Sequence, residues 1–142
     1  MITDMATLFL RLALSAGFLS AVAARLNLWG KHASITVAWN SFINYTAEVN
    51  SFLPKNFVAS IAVLATMLEV LFALMLLTGF KTSYASFGSG ILLLLFALAM
   101  TYSFGVKEPL DYSVFAASAG AFILATMPVC KWSIDQLLIT RF

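Results

Sequence analysis

Four long apolar runs divide the chain, and each is long enough to cross a lipid bilayer as a helix. They cover residues 5–24, 57–80, 84–106 and 112–130. A helix needs about 20 residues to cross the hydrocarbon core. The runs are continuous rather than alternating, which favours helices over the strands of a membrane barrel. The sequence therefore predicts an all-α fold, a four-helix transmembrane bundle that forms a single membrane domain over residues 1–142.

A second pattern lies in the long connection between the first two runs. Its apolar residues recur at spacings of three and four, which is typical of an amphipathic helix. They are Ile35, Ala38, Trp39, Phe42, Tyr45, Val49 and Phe52. We expect a helix over residues 34–53 that lies in the membrane interface and ends before Pro54. It could bear on function or simply cover the bundle.

The first apolar run could be mistaken for a cleaved signal peptide. The residues Ala21-Val22-Ala23 imitate a cleavage site. However, Arg11 splits the apolar region, and Asp4 makes the segment before it acidic rather than basic. We therefore expect this run to stay in the protein as its first span.

The composition agrees with a protein that is dissolved in lipid. The chain is 62% hydrophobic and only 10% charged, with a mean hydropathy of +0.97, whereas a globular chain is about a quarter charged. The net charge of +2 comes from scattered cations with no basic run, which argues against nucleic-acid binding. One cysteine, Cys130, and one histidine, His32, exclude an internal disulfide, a CxxC motif and a multi-histidine metal or haem site.

Two ionisable side chains fall inside the predicted spans. Arg11 lies roughly 9 Å into the first span, and Glu69 lies roughly 16 Å into the second from the same side, at 1.5 Å per residue. A charge at this depth needs a partner or a water-filled cavity. We expect an Arg11–Glu69 pair between the first two helices; without a partner, Glu69 would stay protonated. These are the candidate catalytic residues.

Two further polar residues fall at a similar depth. They are Ser89, near the start of the third span, and Thr126, near the end of the fourth. Together with Arg11 and Glu69 they could line a polar, ligand-binding pocket. The alternative is a purely structural ion pair, with small residues that allow close packing between helices.

A second group of candidate ligand-binding residues lies at the opposite end of the spans. Asp111 precedes Tyr112 at the start of the fourth span, and Trp39 and Tyr102 fall at the same level. Asp111 could simply cap the helix, and the aromatic residues could belong to the interfacial belt. Aromatic rings beside a carboxylate could also hold a quinone ring or a lipid headgroup.

Several segments together resemble the DoxX/DoxD family of small bacterial and archaeal membrane proteins. They are LFLRLALS in the first span, NSFLPKNF at the end of the loop, LEVLFALMLLTGFKT in the second span and PLDYSVFA before the fourth. The resemblance covers about residues 6–137. At the loop entry, where many members carry a glycine and then a lysine, this chain has Ser20-Ala21 and then Arg25, which keeps the positive charge.

The resemblance implies a four-helix bundle in the bacterial inner membrane with both termini in the cytoplasm. It also implies a subunit linked to quinone, thiol or oxidative-stress redox chemistry. The sequence carries no haem, iron–sulfur or flavin signature, so we expect no redox cofactor of its own, a quinone as possible ligand, and other protein subunits as partners in the bilayer. The alternatives are a non-catalytic accessory subunit of a larger complex and a binder of a lipid or small apolar ligand.

Overall fold

The computed structural model describes residues 1–128 and 131–140. Within these residues the chain forms seven α-helices and no strand, as the all-α prediction requires. The helices are α1 (Ile2–Arg25), α2 (Ile35–Val49), α3 (Lys55–Thr78), α4 (Thr82–Phe104), α5 (Lys107–Asp111), α6 (Val114–Thr126) and α7 (Ile134–Thr140).

Three helices, α1, α3 and α4, are long and apolar enough to cross a membrane. Each has 23 or 24 residues, which at 1.5 Å per residue is about 35 Å and exceeds the roughly 30 Å hydrocarbon core. Large apolar side chains point away from the protein on all three, for example Phe9, Met67 and Leu95, which are 73%, 65% and 58% exposed. These features identify an integral membrane protein.

The fourth apolar run differs from its prediction. The helix α6 covers only 114–126 of the expected 112–130, or about 20 Å of length. It is separated from the short helix α5 by a break at Ser113, whose φ of 56° lies in the left-handed region. Residues 129 and 130, and with them Cys130, lie outside the described residues.

The amphipathic helix predicted over residues 34–53 is present as α2. Ser34 caps it by accepting a hydrogen bond from the Val37 amide at 3.2 Å, and the helix ends at Val49, four residues earlier than expected. Ala38 and Val49 are buried, and α2 contacts α1, α3 and α4. It therefore covers the end of the bundle at which the long loop lies.

A tight turn joins α3 and α4. Gly79 ends α3 in the left-handed conformation, with φ 69° and ψ 36°. Its amide and that of Phe80 donate to the last carbonyls of the helix, on Leu76 and Met75. The two helices are therefore an antiparallel hairpin.

Helix α6 runs antiparallel to the first half of α4. The Ser83 hydroxyl donates to the Ala125 carbonyl at 2.7 Å, and the Ser118 hydroxyl donates to the Gly90 carbonyl at 2.8 Å. Both bonds join a small residue of one helix to the backbone of the other, which lets the helices approach closely.

Helix α1 packs antiparallel to α3 and fixes the level of each polar side chain. The Ser15 hydroxyl donates to the Ala73 carbonyl at 3.1 Å. The buried residues of α1 recur at spacings of three and four and include Arg11, Phe18 and Arg25. The two arginines therefore lie on the same face of one helix, 14 residues or about 21 Å apart.

Candidate functional site

The buried carboxylate of Glu69 is paired with Arg25, at the loop end of α1. The guanidinium binds both carboxylate oxygens: Nη1 donates to Oε2, and Nη2 donates to Oε1 at 3.0 Å. Glu69 is 2% exposed and Arg25 is 8% exposed. A two-pronged arginine–carboxylate pair of this kind fixes both side chains and cancels the two charges locally.

Two further groups hold Arg25 in place. Its Nη1 donates to the Thr66 hydroxyl at 2.7 Å, one turn of α3 away from Glu69. On its other side, the guanidinium carbon lies 3.8 Å from the centroid of the Phe42 ring, a cation–π contact. Phe42 belongs to α2, so this helix covers the ion pair directly.

The predicted Arg11–Glu69 pair is wrong. Since Ser15 lies level with Ala73, Glu69 is level with about residue 19 of α1, roughly 12 Å along the helix from Arg11 and roughly 9 Å from Arg25. The directions of the side chains favour Arg25 over Arg11 as well, because side chains lean toward the N-terminus of their helix. Arg11 therefore leans away from Glu69, whereas Arg25 and Glu69, on antiparallel helices, lean toward each other.

Arg11 instead binds backbone carbonyls. It is 1% exposed, and its guanidinium donates to Leu76 and Leu77 at the end of α3 and to Lys131 and Trp132 beyond α6, over distances of 3.0–3.4 Å. The last carbonyls of a helix have no partner within it and carry a partial negative charge. Arg11 therefore caps α3 and ties the chain after α6 to it.

The chain around α7 completes this capping. Asp135 accepts hydrogen bonds from the Lys81 and Thr82 amides, at 2.7 and 2.8 Å, where α4 begins. A carboxylate is favoured there, because the first amides of a helix are free and carry a partial positive charge. Gly79 lies within this layer, and a Cβ on it would collide with the Arg11 guanidinium and with Ser133.

An apolar cavity of about 520 Å³ lies beside the Arg25–Glu69 pair. Helices α1, α2, α3, α4 and α6 all contribute to its wall. From α1 come three small residues one turn apart, Ala13, Gly17 and Ala21. An added Cβ at Gly17 would meet nothing within 4 Å, so the small residues on this face of α1 leave the space open.

Few polar groups line the cavity. Arg25 and Glu69 are its charged residues among those described, and Tyr45, Asn50 and Tyr112 add polar groups. In the described ranges, no three His, Cys, Asp or Glu side chains come together in a way that could hold a metal ion. The arrangement can hold an apolar molecule against one neutral ion pair.

The predicted polar layer of Arg11, Glu69, Ser89 and Thr126 does not exist. The Ser89 hydroxyl donates to the Ala85 carbonyl of its own helix at 2.7 Å. Thr126 is exposed, and its hydroxyl donates to the Ile123 carbonyl. Serine and threonine in helices often bond to the preceding turn in this way, so similar depth in the sequence did not bring these side chains together.

The second predicted group is brought together only in part. Tyr112 lines the cavity. Trp39 packs against Phe42 with ring centroids 5.7 Å apart, behind the cavity wall. Tyr102 is 71% exposed and meets Phe52 edge-on at 5.2 Å, away from the cavity lining.

The role expected for Asp111 also changes. It forms an ion pair with Lys107 one turn earlier, within α5. Helix α6 begins after Ser113 and has no side-chain cap. Asp111 therefore neither caps α6 nor lines the cavity.

Arg25 is the residue that the sequence reasoning missed as part of the site. Arg25 directly follows the first apolar run, where hydropathy alone predicts the start of the loop. Two signals could have found it: it shares a helical face with Arg11, 14 residues earlier, and its side chain leans back into the membrane toward Glu69.

Comparison with known proteins adds no relative: no protein-family model, curated protein or solved structure matches this chain.

Proposed function

We propose that this chain is an integral membrane protein that binds a small apolar molecule in the cavity beside Arg25 and Glu69. The observation that carries the proposal is the cavity itself. Its volume of about 520 Å³ falls in the range of small-molecule sites, which are mostly apolar with a few polar groups. Five helices bound this space and its lining is predominantly apolar, so a small apolar molecule can fill it.

A quinone is the ligand class that we favour, on the strength of the resemblance to the DoxX/DoxD family. A quinone needs an apolar slot and a polar group for each carbonyl, and the cavity supplies both kinds of surface. The protein would then act as a membrane subunit linked to quinone or thiol redox chemistry, with electrons supplied by a partner subunit that carries the redox centre. Glu69 is the group of this chain that could exchange a proton there.

We also propose that α6 serves as the fourth helix of the bundle, so that both ends of this sequence face the cytoplasm across a bacterial inner membrane. The contacts between the two terminal segments support an even number of crossings. Lys131 lies 2.9 Å from Asp4, and its carbonyl accepts from Arg11.

Side-specific labelling tests this topology. In a Cys130→Ser background, the variants Thr3→Cys and Thr140→Cys should both react with a membrane-impermeant maleimide only after the cytoplasmic face is exposed. Labelling of the two positions from opposite sides would contradict the four-crossing arrangement.

Native mass spectrometry tests ligand binding. The protein, released from its own membrane in a mild detergent, should carry one small apolar molecule per chain. The adduct should be absent from Gly17→Phe, which places a ring into the cavity, and present in Ala16→Phe, its neighbour on the exposed face of α1 outside the lining. An adduct that survives Gly17→Phe, or no adduct in the unaltered protein, would contradict the proposal.

A further inference from the structure

The Arg25 guanidinium has hydrogen-bond donors to spare. A guanidinium carries five N–H groups, and Arg25 uses three of them, two on Glu69 and one on Thr66. Within residues 1–128 and 131–140, its Nε–H and its second Nη2–H donate to no acceptor. Since Arg25 lines the cavity, these are the N–H groups that it can offer to a molecule bound there.

The pair is also neutral as a whole. Both oxygens of Glu69 are engaged by Arg25, and no other charged side chain of the described residues lines the cavity. An anionic headgroup would therefore give up its hydration without meeting a net positive charge. A neutral oxygen acceptor avoids that cost and still receives a bond from a charged donor.

A second hydrogen-bond donor, the Tyr45 hydroxyl, lies at the edge of the cavity. Tyr112 is 69% exposed yet lines the space, so it stands at the mouth, and Tyr45 lines the same space. Burial raises the pKa of Tyr45 above its ordinary value, and the neighbouring Tyr112 raises it further. The Tyr45 hydroxyl therefore stays protonated, and no described residue accepts a hydrogen bond from it.

We infer that the cavity selects neutral apolar molecules with a carbonyl oxygen, which accepts a hydrogen bond from the Arg25 guanidinium, over hydrocarbons and over anionic amphiphiles of the same size. The inference rests on the proposed function and names the ligand chemistry of that same cavity. A quinone, a ketone and an ester share the carbonyl that this wall would recognise.

Three probes with one chain length separate these chemistries: decyl-1,4-benzoquinone, decylbenzene and 4-decylbenzoate. Their affinities for the full chain in one detergent are measured by calorimetry, with Gly17→Phe as the reference for partition into micelles. We expect the benzoquinone to bind at least about tenfold more tightly than decylbenzene, a ratio that corresponds to about 1.4 kcal/mol and is modest for a hydrogen bond to a charged group. The benzoate should bind no better than decylbenzene.

The double variant Arg25→Met/Glu69→Leu assigns the preference to the guanidinium. It removes the donor without leaving an unpaired charge, so it should fold and keep its affinity for decylbenzene while the tenfold preference for the benzoquinone disappears. Dodecyl 4-methylphenyl ketone, with a single carbonyl, should lose affinity in the same variant.

The outcomes separate the two proposals. Equal binding of benzoquinone and decylbenzene, both abolished by Gly17→Phe, would overturn the carbonyl inference and leave the proposed function standing. Tightest binding by the benzoate would overturn the neutrality argument. If none of the probes shows binding that Gly17→Phe abolishes, both the carbonyl inference and the proposed function are overturned.

Discussion

Helix α1 buries two arginines on one face, and the two side chains have different partners. At the end where α1 begins, Arg11 donates to backbone carbonyls of α3 and of the segment after α6. At the loop end, Arg25 meets the carboxylate of Glu69 beside a cavity. The first charge is balanced by dipoles in a packed layer, and the second by an opposite charge at the edge of open space.

The different partners distinguish Arg11, which has a structural role, from Arg25, which belongs to the candidate site. Carbonyls at the end of a helix need a donor, and Arg11 supplies several within a layer where even a methyl group at Gly79 would collide. Among the described residues, two N–H groups of Arg25 have no acceptor, and Arg25 borders the cavity that five helices line. Arg11, with four of its five N–H groups on carbonyls in a closely packed layer, stabilises the fold, whereas the unused N–H groups of Arg25 lie beside a cavity where a ligand could accept from them.

The largest expected effect comes from breaking the ion pair on one side. Glu69→Leu leaves the Arg25 charge buried without its partner and should lower the free energy of unfolding by about 3–5 kcal/mol. Unfolding in mixed micelles of a mild detergent and dodecyl sulfate measures it. The matched control is Arg25→Met/Glu69→Leu, which should return to within about 1 kcal/mol of the unaltered protein. Equal losses in the single and double variants would contradict a charge-balanced pair.

A smaller loss is expected at the other arginine. Arg11→Met removes a charge that has no acidic partner among the described residues, and it leaves the carbonyls of Leu76 and Leu77 without this donor. We expect a loss of about 2 kcal/mol and faster proteolysis after Lys131, while probe binding in the cavity is unchanged. Arg11→Lys keeps the charge but lacks the guanidinium. Its loss of unfolding free energy should lie between zero and the loss in Arg11→Met. A loss as large as that of Glu69→Leu would remove the distinction between the two arginines.

The Asp135 carboxylate, which caps α4, lies in the same layer as Arg11 and carries the opposite charge. Its removal therefore also tests that layer. Asp135→Ala removes the acceptor for the Lys81 and Thr82 amides and should cost about 1 kcal/mol of unfolding free energy, as lost helix caps do. Asp135→Asn keeps only one of the two acceptor oxygens and should recover only part of this free energy. Hydrogen exchange at the start of α4 reports the effect, and unchanged protection of those amides in Asp135→Ala would refute the cap.

The smallest effect is expected at Ser15, which lies between the arginines and one turn of α1 from Arg11. Ser15→Ala deletes one hydroxyl bond to the Ala73 carbonyl and should cost about 0.6 kcal/mol, the typical value for such bonds between membrane helices. The same unfolding assay measures it. A loss above about 2 kcal/mol would contradict the assignment of a single hydroxyl bond to Ser15.

Hydropathy and spacing predicted much of the fold, because burial in lipid leaves a strong mark on sequence. The spans of α1, α3 and α4 and the amphipathic α2 follow from long apolar runs and from a repeat of three and four. The length of α6 does not follow, since the break at Ser113 is a backbone conformation that composition leaves unmarked.

The site was predicted less well than the fold. Glu69 stood out as a charge within an apolar run, but its partner depended on the register of α1 against α3 and on the lean of each side chain. The cavity depended on what five helices leave empty, which no single run of residues encodes. Gly17 illustrates the difficulty: in the sequence it is one glycine in a membrane helix, and in the fold it opens the wall.

The most direct test of the central claim is an anomalous-difference map of the protein crystallised with a bromine-bearing decyl-benzoquinone. A single bromine peak should lie within the space bounded by Gly17, Phe42 and Glu69, with a quinone oxygen at hydrogen-bond distance from Arg25. A peak only on the lipid-facing surface, with the cavity filled by protein side chains, would contradict it.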